Sequence, residues 1–372
     1  MPQANLERFL GPDNFSEPIT SKTSFSYAIN DAFIVSMINN HIFDTSENFK
    51  DFFIYSIDNA ASNSALVDKV LNKSLDTQTN PFIKSSINDY SAGYVIYIPP
   101  GKSIDMPIYL HNLNDTRKGS LLSKIIIVCD EGSSVEIIDH SIGSDSLGYI
   151  NTFLDIFCNQ GSELRYTLIS DCKSSAMINS NVDLLSESRI IYNALSINSN
   201  LYRNNMVVDL LGSEANAELS GLFFSKDNNH MEFHTQMNHS SRDTSSTQNY
   251  RGILSDSSSG LFNGLVNISK EGVGSIANQS NKNIIFGDRA RMNSNPQLII
   301  ETDDVQCSHG STTGQVDDDA LFYLRSRGIS IEQAYEMVVS GFSSEIFSNI
   351  ANKELNNYIV NLISKSVAMA VR

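Results

Sequence analysis

The chain has 372 residues, 41% hydrophobic and 18% charged, which supplies apolar side chains for a large core and too little charge for global disorder. Asp and Glu number 42 against 26 Lys and Arg, a formal charge of −16 that on average repels nucleic acid and anionic membrane surfaces. No apolar run nears the ~20 residues of a membrane-spanning helix, no basic-then-apolar leader opens the chain, and the four cysteines contain no C-x-x-C pair, so a cytoplasmic protein with reduced thiols is expected.

Three regions follow from the change of pattern along the chain: a mixed α/β region over 1–90, a strand-rich region over 91–313 and a helical region over 314–372. In the first, two apolar runs flank Asn39-Asn40, a turn signal that predicts a hairpin. Leu66, Val67, Val70 and Leu71 have helical spacing behind Ser64, which can cap. The polar stretch 77–89, which contains Pro81, reads as a boundary.

From Ala92 to about Gly310, short β-type runs alternate with Gly, Ser, Asn and Asp, and no helical pattern of ten residues interrupts them. A sandwich, barrel, propeller or solenoid would fit. A loose repeat favours the solenoid: Gly132-Ser133, Gly161-Ser162, Ser186-Glu187 and Gly212-Ser213 each open an alternating strand, at steps of 25 to 29 residues. That step suits one coil of a parallel β-helix and is short for a propeller blade. Cys129 and Cys158 precede two of these turns at equal distance and are expected to stack on adjacent coils as small core residues.

Past Gly314 the period becomes helical. Asp317 is placed to cap a helix that Gly328 stops, and Ser330-Ile331-Glu332-Gln333 is a capping box. Ala334, Met337, Val338, Phe342 and Ile346 predict one apolar face, and Leu355, Ile359, Leu362, Ile363 and Val367 another. The tail is too small for a core of its own, so it is expected to pack on the end of the solenoid or to offer a groove to a partner.

The densest run of reactive side chains is 303–312. If the strand before it continues, Cys307 and His309, two apart, leave one face together. A thiolate beside an imidazole suits zinc, ferrous iron or an iron–sulfur cluster, and two ligands need completion from elsewhere; a buried thiol beside a hydrogen-bonded His is the alternative. His230, His234 and His239 form a second group, but on a strand only the first two share a face, so surface or turn-packing histidines are expected there rather than a metal. Asp303-Asp304 and Asp317-Asp318-Asp319 suit turns and helix caps better than a cation. The chain has neither a G-x-x-x-x-G-K-[ST] loop nor a G-x-S-x-G elbow.

Four ordered blocks carry a resemblance: Asn283-Ile284-Ile285-Phe286-Gly287, Asn295-Pro296-Gln297-Leu298, Asp303-Asp304-Val305-Gln306-Cys307-Ser308-His309-Gly310, and Leu321-Phe322-Tyr323-Leu324-Arg325-Ser326-Arg327-Gly328. Together they resemble the carboxy-terminal signature of the SufB/SufD family of iron–sulfur cluster assembly subunits. Gly310 after the His, where the SufB type carries Glu, points to the SufD branch. The resemblance implies a mainly β fold, a right-handed parallel β-helix between an N-terminal α/β region and a C-terminal helical region. It implies a scaffold without catalysis of its own, with SufB bound at the end of the β-helix and the SufC ATPase on the helices between Ser330 and Ile346. It also implies a transient iron–sulfur cluster shared with SufB, with His309 and Cys307 as candidate iron or cluster ligands at that interface. A homodimer of the chain alone and a polysaccharide-active β-helix enzyme remain alternatives.

Overall fold

The computed structural model describes residues 29, 31–45, 49–57, 81–116, 119–143, 148–286, 288–344, 346–347, 350 and 352–370. The helix expected over 64–72 lies outside them. Strands β1 (Phe33–Ile38) and β2 (His41–Thr45) form the antiparallel hairpin, with Asn39 and Asn40 both at positive φ, as a tight two-residue turn requires. After β3 (Phe53–Ser56) comes helix α1 (Pro81–Asn88). The stretch read as a boundary carries this helix just before the solenoid begins. Pro81 opens a helix, since a proline at the first helical position forfeits only an N–H that has no partner there. Asn151 donates to the Phe82 carbonyl at 2.7 Å, holding the helix on the outer face of a sheet.

The remaining strands run in one long series: β4 (Ala92–Ile98), β5 (Ile108–Asn114), β6 (Leu121–Cys129), β7 (Ser134–Gly143), β8 (Tyr149–Cys158), β9 (Glu163–Asp171), β10 (Ser175–Leu184) and β11 (Arg189–Ile197). It continues through β12 (Leu201–Leu210), β13 (Asn216–Ser225), β14 (His230–His239), β15 (Ser245–Leu254), β16 (Ser259–Ile268), β17 (Ile276–Ile285), β18 (Arg291–Ile300) and β19 (Gln306–Gln315). Successive strands fall in alternate sheets. Odd-numbered strands from β5 to β19 join the hairpin in a ten-stranded sheet; even-numbered strands from β4 to β18 join β3 in a nine-stranded one. The pairs from β4 onward are parallel and keep one register, so the chain winds as a two-sheet β-solenoid of about seven turns.

The repeat seen in the sequence is one corner of this winding. Gly132, Gly161, Glu187, Glu214, Asp243 and Gly274 all have positive φ, and each donates its N–H to a carbonyl of the next coil, as Gly132 does to Gln160 at 2.9 Å. Glycine suits the left-handed corner; the acidic residues hold it through the same inter-coil bond. Residues stacked in adjacent coils lie 26 to 32 apart in sequence, as Asn179 and Asn205 do at one limit and Ser259 and Arg291 at the other.

Inward-facing positions fill the lumen. Cys129 and Cys158 are direct register partners, buried and unbridged, as the equal spacing predicted. Farther along, Phe233 lies 6.0 Å from Tyr202, 5.8 Å from Phe223 and 5.0 Å from Tyr250 between ring centroids. Gly221 leaves room for them: a Cβ there would come within 2.4 Å of the Tyr250 ring.

Three helices close the chain. In α2 (Asp318–Ser326), Asp317 accepts from the Asp319 N–H at 3.0 Å, and Gly328 follows the helix at positive φ. In α3 (Ile331–Ser344) the capping box forms as expected, with Ser330 and Gln333 bonded reciprocally. The last helix is α4 (Lys353–Ala370). Its face is the expected one, with Leu355, Ile359 and Ile363 buried; that of α3 keeps Ala334 and Phe342 but turns on Val339 in place of Met337. Ala334, Val339 and Ser343 are buried, whereas Met337 is 52% exposed. Ile346 is buried beyond the end of the helix.

The position of the tail is also corrected. It lies along the outer face of the ten-stranded sheet, where Val339, Ile346, Phe347, Leu355, Ile359 and Ile363 share a core with Tyr109, Ile138, Ile169, Ile197, Phe224 and Ile253. These outward positions form an apolar ladder that only a second layer can cover. Among the described residues, no further strand continues either sheet beyond β18 and β19.

Candidate functional site

Strands β18 and β19 make the last coil. Each pairs on one side only among the described residues, so both present unbonded backbone groups along an edge. Alternation is strict on β18: Met292, Ser294, Pro296 and Leu298 are half-buried toward the lumen and their neighbours exposed. On β19, Cys307 stands opposite Ala277 and His309 opposite Gln279, so both point into the lumenal column, as their two-residue spacing predicted. Cys307 is half-buried against the core and His309 is exposed at the mouth.

The mouth is polar. Ser311 donates to Ser294 at 2.7 Å, Ser294 to the Asn281 side-chain oxygen at 2.7 Å, and Asn281 to the Tyr250 carbonyl at 3.1 Å. Partial burial pushes the Cys307 thiol up, an effect the Ala277 backbone partly opposes, so the thiol is protonated at neutral pH. Among the described residues, no three His, Cys, Asp or Glu side chains are gathered for a metal ion. Cys307 and His309 are thus two side chains on one face of the last strand, without a third such group gathered beside them among the described residues.

The second histidine group is resolved differently. His230 and His234 lie on the outer face of the nine-stranded sheet and both bond Glu232, at 2.6 and 2.8 Å, with Arg203 at 3.2 Å. Burial alone would push the Glu232 carboxyl up, but the bonds from His230 and His234 and the Arg203 charge outweigh it and hold the group well below the usual carboxylate range. His239 points the other way, into the lumen, between Thr244 at 2.8 Å and Ser246 at 2.9 Å. Sequence reasoning missed Glu232, although His-x-Glu-x-His on a strand puts all three side chains on one face. Glu232→Ala is expected to cost about 2 kcal/mol, because it removes the buried carboxylate that a guanidinium and two imidazoles share; equal urea midpoints at pH 7 would refute this. The aspartates behave as turn chemistry. Asp304 gives its carbonyl to the corner column, and Asp317 caps a helix.

The chain is thus a parallel two-sheet solenoid with a helical layer on one sheet and a thiol and an imidazole side by side on its last coil. The model of the SUF system FeS cluster assembly SufBD core domain matches residues 111–342, and the chain belongs to this SufB/SufD family, on its SufD-like side. It is 27% identical over 279 residues to the protein ABCI7, chloroplastic, of Arabidopsis thaliana, covering 72% of this chain and 59% of that protein. It is 25% identical over 245 residues to the iron–sulfur cluster assembly protein SufD of Escherichia coli, covering 65% and 58%. To SufD of Bacillus subtilis it is 24% identical over 285 residues, covering 74% and 64%. The chain thus spans about three fifths of the length of these curated relatives. Among the described residues no helix is long and apolar enough to cross a membrane.

Proposed function

We propose that this chain is a non-catalytic scaffold subunit of the iron–sulfur cluster assembly machinery, joined at its open coil to a SufB-type subunit and on its tail helices to a SufC-type ATPase. The observation that carries the reading is the unpaired edge of β18 and β19 with Cys307 and His309 on its lumenal side. A partner's strands continuing both ladders would satisfy the free backbone groups and cover Ile299 and Ile300, which are exposed on that edge. The seam would then add donors to a thiol and an imidazole that are too few to hold iron alone. Iron or a nascent cluster is cargo here, held transiently and shared between the chains.

The tail supports the second contact. Phe322, Tyr323 and Met337 are 74%, 57% and 52% exposed on α2 and α3, an apolar surface facing away from the solenoid core. The absence of a P-loop from the sequence agrees with ATP hydrolysis on the partner. Movement of the tail helices by that partner would reach the mouth through the stiff, in-register coils on which they lie.

The test is His309→Ala in the complex purified with its SufB- and SufC-type partners. Iron and sulfide per complex are expected to fall at least about tenfold. The unfolding temperature of the chain should stay the same, since the side chain is exposed. A variant that keeps its iron and sulfide would remove His309 from the function; a chain that purifies without either partner would remove the scaffold reading itself.

A further inference from the structure

Directly beneath His309 in the lumenal column lies Gln279, in β17. Its side chain is 3% exposed, and neither its amide nitrogen nor its amide oxygen has a hydrogen-bond partner. A buried amide left unsatisfied is destabilising, so it needs either a reason or a guest. The fold makes room for it deliberately. Gln279 reaches across the lumen to β16, where a Cβ on Gly264 would come within 2.1 Å of its nitrogen. Only a residue without a side chain lets the amide lie there.

The neighbours do not occupy it. One coil below, Gln248 is the register partner of Gln279, yet its oxygen is taken by the Thr235 hydroxyl at 2.5 Å and its nitrogen is also without a partner. The polar chain of Ser311, Ser294 and Asn281 runs through the adjacent inward positions and does not include Gln279. The one polar side chain stacked above Gln279 in the column is His309, one inter-strand step away.

We propose that Gln279 is the positioning residue for His309: when the terminal coil is covered, the imidazole turns inward and donates its inner N–H to the Gln279 amide oxygen. This inference rests on the role of His309 proposed above. The bond fixes the tautomer. With the proton held on the inner nitrogen, the outer nitrogen keeps its lone pair and faces the seam, the orientation a cation needs. In the uncovered chain the ring is exposed and the amide waits unsatisfied, so the strain is present before the ligand and is relieved on assembly.

The variants are Gln279→Leu and His309→Ala, each in the full chain and in the complex with the SufB- and SufC-type partners. Two quantities are read: the unfolding temperature of the chain alone, and the affinity of the complex for ferrous iron by direct titration. Gln279→Leu is expected to leave the unfolding temperature unchanged or raised, because it removes an unsatisfied buried amide. Its iron affinity should fall by about 10–100-fold, the loss typical when a ligand's supporting partner is removed. An iron affinity equal to that of the unaltered complex overturns the proposal, as does a lowered unfolding temperature with intact affinity, which would make Gln279 a packing residue. His309→Ala separates the two levels. If it binds iron normally, the reading of the site fails. If it loses iron while Gln279→Leu does not, only the positioning role fails.

Discussion

Phe233→Ala is expected to lower the unfolding free energy by about 3–5 kcal/mol, read as a reduced urea midpoint with an unchanged slope. Phe233 is 1% exposed and sits among the rings of Tyr202, Phe223 and Tyr250, which come from three different strands, β12, β13 and β15. Truncation removes the buried ring area and leaves a cavity whose walls are anchored to two hydrogen-bonded sheets, so they collapse little. Phe233→Leu keeps most of the volume and should lose much less. A cost below about 1 kcal/mol for the alanine variant would mean that the lumen repacks freely and that the coils are not rigid.

Acidification from pH 6.5 to 4.5 is expected to cost about 3 kcal/mol, through histidines buried in the neutral form. Burial and the neighbouring His111 hold His140 down to about 3, with the Tyr109 hydroxyl 2.6 Å from one ring nitrogen and Tyr358 of α4 3.2 Å from the other. Burial holds His239 down to about 4. Both groups titrate near 6.5 once unfolded, so below that pH the unfolded chain binds more protons and stability falls until the folded values are reached. Asp139 opposes this. Burial raises its carboxyl to about 6, against the bond from Tyr166, so its contribution is complete below the ordinary value of 3.8 and fades as pH rises through 6. Two histidines outweigh one aspartate in this window. Glu232, held low, keeps its charge throughout it. Stability measured by urea titration from pH 7.5 to 4.5 checks the slope, and His140→Gln should flatten it. A profile that is level or rises toward acid would contradict the assignment of His140 and His239 as buried and neutral.

Much of the architecture could be read from local chemistry. Asn39-Asn40 demanded a tight turn, the Gly-Ser echo marked a corner of each coil, and the equal offsets of Cys129 and Cys158 already placed them one above the other. The helix caps at Asp317 and Ser330 were legible for the same reason: the whole interaction lies within a few residues of chain. What could not be read depends on partners distant in sequence. Met337 and Val339 fit an apolar helix face about equally well, and the choice fell to the outward ladder of Ile138, Ile169 and Ile197 more than a hundred residues earlier. The helix that Pro81 opens, inside the stretch read as a boundary, left no pattern in the sequence because it is short and draws its stability from β6 and β8. At the candidate site, spacing along one strand was enough to put Cys307 and His309 on one face. Gln279 is 30 residues upstream and acquires its place only through stacking.

The uninterrupted register has a consequence for how such a chain can change length. Losing a single residue within a strand would reverse the facing of every side chain beyond it, exposing rings and burying amides. Excising one full circuit between equivalent corners, such as Gly132 and Gly161, would instead rejoin ladders whose facing is already matched. Evolutionary lengthening and shortening of the barrel-like shaft should therefore come in complete windings, and the distance separating its two ends is counted in quanta of one strand spacing.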